Sequence, residues 1–278
     1  MLRALDDKRL VSNQFEAILI DEAQDFAPSW YEVVKRVLNP DTQMLFLAAD
    51  ATQRIYRKFS WKSLGLDIVD RSRILPRSYR STYEIMRTAF ELVRCDPSLQ
   101  QELREEGEDL LQPRLDPAWM RHGEYPRLLA FPSVDSEIRF IAREIRALVT
   151  QGYHFGDIAL LHKRTYGVNR LYSALRQEEI PGAILKEGGS LDRDAVSIGT
   201  LKGAKGLEFR VVFITQLQLV CNPEKYIPWE DQAAFIADEI RTLYVGVTRA
   251  RDQIYLSYQS KLEKPMRPLQ TFLEAVQR

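Results

Sequence analysis

Short apolar runs alternate with helical stripes along this chain. Phe15 to Ile20, Met44 to Ala48, Ile158 to Leu161, Val196 to Ile198 and Val211 to Ile214 are runs of aliphatic and β-branched residues bounded by polar turns. Such runs read as strands. A helix is expected after Pro28. The segment from Val134 to Val149 puts Ile138, Ile141, Ala142, Ile145, Leu148 and Val149 on one helical stripe, with Ser133 as its cap. Strands alternating with helices predict a parallel sheet, hence an α/β fold. Charge and proline concentrate between Asp96 and Pro132, including Pro97, Pro113, Pro117 and Pro126, which reads as an irregular connector or a small helical excursion.

Composition adds bounds. A chain of 278 residues, 45% of them hydrophobic, is long enough for two domains of roughly 100 to 200 residues each. The expected division is residues 1–77 and 78–278. The first piece is short for a complete nucleotide-binding α/β domain, which needs about 100 residues. Basic and acidic residues number 39 each, so any nucleic-acid footprint has to be local. Between Arg54 and Arg80 the chain carries Arg54, Arg57, Lys58, Lys62, Arg71, Arg73, Arg77 and Arg80 against Asp67 and Asp70. Cys95 and Cys221 lie far apart with no CxxC spacing, which argues against a disulfide framework or a zinc site. No apolar stretch approaches a membrane span. The expectation is a soluble, cytoplasmic protein with no membrane partner.

The chemistry concentrates in a few blocks. In FEAILIDEAQD an apolar run delivers Asp21 and Glu22 at its carboxyl end, the edge at which open α/β sheets bind ligands. In NTPases an acid there holds Mg²⁺, mainly through water, and a neighbouring carboxylate orients the water that attacks the γ-phosphate. The bland alternative is an acidic turn after a strand. In LFLAADATQRIY another apolar run ends near Gln53, an amide able to bond a phosphate oxygen or the attacking water. Beyond it Tyr56, Phe59 and Trp61 interleave with Arg57, Lys58 and Lys62, a mixture that stacks bases and neutralises a phosphate backbone, although aromatics are more often core. In LPRSYRS, Tyr79 offers an aromatic face for adenine, and Arg80 offers a planar, permanent charge for phosphate. GTLKGAKGLEF follows a strand, and Gly203 and Gly206 let backbone approach a ligand closely. DEIRTLYVGVTRAR has helical spacing, with Ile240, Leu243, Tyr244 and Val247 facing a core and Arg249 at the end.

In their fixed order, ILIDEAQDF, LFLAADATQRIY, LPRSYRS, IGTLKGAKGLEF and LYVGVTRAR resemble motifs two to six of UvrD/Rep-type superfamily 1 DNA helicases. The resemblance implies a RecA-like P-loop NTPase fold, with a partial first motor domain followed by a second one. It implies ATP and Mg²⁺ as cofactors, single-stranded DNA as partner and 3′-to-5′ movement. By resemblance Gln53 senses the γ-phosphate, Tyr56 stacks on a base, Tyr79 stacks on adenine, and Arg80 and Arg249 act as arginine fingers. Thr200 and Lys202 contact the DNA backbone, while Gly206 and Glu208 face the nucleotide, Glu208 accepting from ribose hydroxyls. Departures occur: Lys58 stands where the family has tryptophan, Ser78 where it has asparagine, and Lys202 where histidine is common.

No GxxxxGK[ST] phosphate loop occurs; the one Lys followed by Ser or Thr is Lys62. About 120 residues separate Arg80 from Thr200, too few for the family's large second insertion. The expectation is therefore the carboxy-terminal portion of a helicase, inactive alone. Its partners would be a protein that loads it or a chain that supplies the missing amino-terminal half. The competing reading is a non-catalytic nucleic-acid or protein-binding module derived from a helicase.

Overall fold

The computed structural model describes residues 13–49, 64–66, 71, 80–95, 115–186, 191–223, 226–260 and 267–276. It falls into two compact units, Met1–Ile74 and Leu75–Arg278. Among the described residues no helix is long and apolar enough to cross a membrane.

In the first unit, strand β1 (Ala17–Ile20) pairs in parallel with β2 (Met44–Leu47), and helix α1 (Pro28–Val37) connects them. Pro28 opens the helix, where its missing N–H and fixed φ cost nothing. The strand expected from Phe15 begins at Ala17; Phe15 makes an isolated bridge to Leu38 instead. Tyr31 and Val34 of α1 pack with Ile20, Ala23 and Leu64, against partly buried Ile18, Leu45 and Leu47. The period-2 pleat sends Leu19 and its register partner Phe46 to the opposite face, where they are 75% and 65% exposed.

The second unit is a six-stranded, fully parallel sheet. Its strands are β3 (Arg127–Phe131), β4 (Ile158–His162), β5 (Gly182–Ile184), β6 (Val196–Thr200), β7 (Phe209–Thr215) and β8 (Ala250–Gln259), in the order β3-β8-β7-β4-β6-β5. The sheet separates two cores. On one side Ile158, Leu160, Val211, Phe213 and Tyr255 meet α3 (Val134–Thr150) and α4 (Thr165–Gln177). On the other, Ala159, Leu161, Val212, Ile214, Ile254 and Leu256 meet α2 (Tyr83–Arg94), α5 (Trp229–Thr248) and α6 (Arg267–Val276). Alternation between the two cores along Ile158–Leu161 of β4 and Val211–Ile214 of β7 produces the continuous apolar runs of a sheet covered on both faces.

Of the stripe expected on α3, Ile141, Ala142, Ile145 and Leu148 lie in the core, Ile138 packs against it, and Val149 is half-buried. Ser133 caps the helix, its Oγ accepting from the Ser136 N–H at 3.2 Å. The end of the proline-rich stretch is structured. Arg127–Phe131, read from sequence as connector, forms edge strand β3 and pairs on one side with β8. Pro126 and Pro132 flank it, at positions where an edge strand tolerates a missing N–H.

Candidate nucleotide and nucleic-acid site

At the carboxyl end of β1 the chain turns sharply. Glu22 adopts φ 50°, ψ 41°, left-handed values that a bulky L-residue seldom takes. The Asp21 carboxylate accepts from the Glu22 N–H at 2.9 Å, and a 3₁₀ turn, Ala23–Asp25, follows at once. The turn is held from beneath: Ala23 N–H donates to the Ala48 carbonyl at 2.9 Å, and the buried Tyr31 hydroxyl donates to the Ala23 carbonyl at 2.6 Å. Strain of this kind concentrates at functional positions because the surroundings must enforce it. Here it leaves the Asp21 side chain exposed and Glu22 half-buried at the sheet edge.

In the second unit, residues from three distant blocks meet at the amino ends of β7 and β8. Arg80 Nε contacts Glu208 Oε1 at 2.5 Å, an ion pair that leaves both side chains partly exposed. One residue away, the Leu207 carbonyl accepts from Arg249 Nη1 at 3.3 Å, while Arg249 Nε donates to the Val245 carbonyl at 3.1 Å. Arg249 is the C-cap residue of α5 and only 2% exposed. Its guanidinium is used inside the unit in this arrangement and is not presented on the surface. Gly206 takes φ +79°, and a Cβ there would meet nothing within 4 Å, so the glycine serves the turn and leaves open space beside it.

The segment from Thr200 to Phe209 spans the sheet. Thr200 and Thr215 both align with His162 of β4, so the end of β6 lies level with the end of β7. The chain must therefore return the length of β7, roughly 20 Å, before Phe209 can start that strand. It does so over the α2/α5 face, burying Leu201 and Ala204. Thr200 Oγ1 accepts from the Gly203 N–H at 3.0 Å and starts the turn. Thr200 and the exposed Lys202 thus sit at the carboxyl edge, while Gly206 and Glu208 sit at the amino edge with Arg80 and Arg249. Gln53, Tyr56, Phe59, Trp61 and Tyr79 lie outside the described residues.

Several polar contacts escape a reading by sequence blocks. Lys163, after β4, pairs with Glu239 of α5, which also accepts from the Cys221 N–H at 3.2 Å, so Glu239 serves the structure of the unit. His162 is fully buried, accepts from the Arg164 N–H at 2.8 Å, and burial holds its pKa below the usual imidazole value. Arg121, Arg210 and Asp252 form a cluster beside the amino ends of β7 and β8. Among the described residues no three His, Cys, Asp or Glu side chains gather as a metal cluster.

A parallel sheet between two helical layers, with charged residues from separate blocks on one edge, defines the class: an α/β domain of RecA-like fold. Residues 74–194 and 185–261 match the family model of the UvrD-like helicase C-terminal domain, and residues 4–62 match that of the UvrD/REP helicase N-terminal domain. The chain belongs to the UvrD-like helicase family. A Mycoplasma capricolum protein called "Probable DNA helicase II homolog" is 26% identical over 178 residues, 61% of this chain and 22% of that protein. The Bacillus subtilis "ATP-dependent DNA helicase PcrA" is 42% identical over 72 residues, 26% of this chain and 10% of that protein. A Mycoplasma pneumoniae "Probable DNA helicase" is 24% identical over 249 residues, 86% of this chain and 42% of that protein. The chain thus spans less than half the length of these relatives.

Proposed function

We propose that this chain is part of an ATP-dependent DNA helicase or translocase that couples ATP hydrolysis to movement along single-stranded DNA, in the 3′-to-5′ direction. The observation that carries the reading is the convergence of Arg80, Glu208 and Arg249 at one sheet edge, from blocks 128 and 41 residues apart in sequence. An arginine beside a carboxylate on an open edge suits a nucleotide: the guanidinium meets phosphate oxygens and the carboxylate accepts from ribose hydroxyls. Binding then replaces the Arg80–Glu208 ion pair. Arg249 first supports the Leu207 carbonyl, and its guanidinium reaches a phosphate only after that bond opens. Tyr79 supplies the aromatic face for adenine.

In the first unit, the exposed Asp21 carboxylate offers the hard oxygen that Mg²⁺ takes, so this donor fits a water-bridged ion. The ion, when bound, neutralises charge on the phosphates. Glu22 orients the attacking water, and the strained turn sets the direction in which its side chain leaves the backbone. Gln53 senses the γ-phosphate. Thr200 and Lys202 contact the DNA backbone, and Tyr56, with Phe59 and Trp61, stacks on bases. The return segment from Thr200 to Glu208 then couples the two tasks, since its ends lie at opposite edges of one sheet. The chain alone is expected not to hydrolyse ATP, because no phosphate-binding loop occurs in its sequence.

The test is single-stranded-DNA-stimulated ATPase activity of this chain and of a form extended upstream through a phosphate-binding loop, with Glu22→Gln in both. Hydrolysis by the extended form alone, lowered about 10²-fold or more by Glu22→Gln, supports the motor. Strand binding by both forms with hydrolysis by neither replaces it with a non-catalytic nucleic-acid-binding module.

A further inference from the structure

We propose that Arg121 is a positioning residue, which with Asp252 and Arg210 holds the Arg80 segment in register against the segments bearing Glu208 and Arg249. This rests on the nucleotide-binding reading of those three residues.

Three bonds tie down the Arg121 fork. Nη2 donates to the Arg80 carbonyl at 3.0 Å and to the Arg251 carbonyl at 2.6 Å, while Nη1 meets Asp252 Oδ1 at 2.5 Å. The other oxygen of Asp252 accepts from Arg210 Nε at 2.7 Å, and Arg210 lies two residues after Glu208. Each of Arg80, Glu208 and Arg249 is therefore at most three positions along the chain from a group in the cluster. Arg80 offers its own carbonyl, Glu208 precedes Arg210, and Arg249 precedes Arg251 and Asp252. Burial opposes the charge on Asp252, yet the bonds from Arg210 and Arg121 outweigh it and hold the carboxyl below its ordinary pKa, so the aspartate stays ionised between its two arginines.

A second set of contacts, independent of the guanidinium, clamps the same segment. The Arg121 carbonyl accepts from the Tyr83 N–H at 2.9 Å, and the Ser81 hydroxyl donates to the Ala250 carbonyl at 2.7 Å. Gly123 lies so close that a Cβ would stand 2.6 Å from Thr82 Cγ2 and 3.4 Å from the Asp252 carbonyl. A strip of chain returning from the proline-rich segment is thus pressed between the start of α2 and the start of β8. Only a planar fork fills two carbonyls and a carboxylate at once; lysine, a point charge on a flexible stem, keeps the charge and loses the geometry.

The experiment uses the form extended upstream through a phosphate-binding loop, which contains this whole chain, with Arg121→Lys and the near-isosteric Asp252→Asn. Arg121→Lys is expected to lower kcat by about 10- to 100-fold, the scale of an ångström-sized misplacement of catalytic groups, while KM for ATP changes by less than about threefold. Asp252→Asn is expected to show the same split to a smaller degree, and serves if the first variant fails to fold. Unchanged kcat in either folded variant, or kcat lost only in proportion to a lost folded fraction, overturns the proposal. Should the wild type itself hydrolyse no ATP, the motor reading fails separately. Amide hydrogen exchange of this 278-residue chain then decides the positioning role: exchange at Ser81–Tyr83 and Arg249–Asp252 at least about tenfold faster in Arg121→Lys, with α3 unaffected, supports it, and unchanged exchange removes it.

Discussion

Glu84 and His122 show what a residue-level pair does here. His122 Nδ1 lies 2.7 Å from Glu84 Oε1, the other Glu84 oxygen accepts from the Gly123 N–H at 2.9 Å, and His122 Nε2 lies 2.8 Å from the Pro117 carbonyl. Bonding to Glu84 first, and to Pro117, raises the His122 pKa. Burial pushes Glu84 up, but the bonds from His122 and Gly123 outweigh it and leave the carboxyl below its ordinary value. A raised imidazole stabilises the fold fully below its unfolded pKa and stops doing so as pH rises through the folded value; a lowered carboxylate stabilises above its unfolded pKa and loses that as pH falls through the folded one. The pair is therefore strongest between the ordinary carboxylate and imidazole values, roughly pH 4.3 to 6.5. The thermal midpoint of the chain should fall more between pH 6 and pH 9 than that of His122→Gln, and parallel curves for the two proteins would remove the pair from any such role. None of this was legible in the sequence, because the partner of His122 lies 38 positions away and meets it only through the fold. Glu208 and Arg80 were legible as candidate site residues for the opposite reason: each sits inside a short block whose pattern is local. That they face each other was not.

At the level of elements, legibility followed how completely a residue pattern reports burial. α3 and α5 have clear stripes, and both are helices with the expected residues inside. β8 carries the sequence ARDQIYLSYQ, which does not look like a buried strand. Its polar groups are satisfied from the helical layer: Ser257 Oγ bonds Glu137 Oε1 at 2.5 Å, and Tyr255 OH bonds Glu144 Oε1 at 2.9 Å, both carboxylates belonging to α3. A strand buried on both faces can be part polar when a neighbouring helix brings acceptors, and no window of the strand's own sequence shows that. The junction between α5 and the return segment also depends on a single absence. A Cβ on Gly246 would lie 2.4 Å from Leu201 Cδ2 and 3.2 Å from Ile214 Cδ1, with all three residues in the core. Gly246→Val gains a few tenths of a kcal/mol in helix propensity but overpacks the site, which typically costs about 1–3 kcal/mol. Urea unfolding should show a net loss of about 1–3 kcal/mol. A variant as stable as the wild type would mean that the return segment moves aside at little cost, which would weaken its part as a link between the sheet edges.

At the scale of the molecule, net charge was silent, since 39 basic and 39 acidic residues cancel. The two units differ instead in how much each can bury. The second has a parallel sheet with an extensive core on both faces. Among the described residues, the buried hydrophobic residues of the first are Ile20, Ala23, Ala27, Tyr31, Val34, Leu38 and Leu64, and its two strands carry Leu19 and Phe46 on the side away from α1. Parallel strands are stable when both faces are covered, and small units bury too small a share of their surface to offset chain entropy. Residues 75–278 expressed alone should therefore unfold in one cooperative urea transition, with far-UV circular dichroism of an α/β protein. Residues 1–74 expressed alone should show no cooperative transition and should exchange their amides within the dead time of the measurement. Both measurements are needed, because a collapsed but unpacked 1–74 fragment would keep some circular dichroism while protecting no amide. A cooperative transition in 1–74 would require cover for the Leu19–Phe46 face from within those residues, and hydrogen exchange along β1 and β2 would locate it.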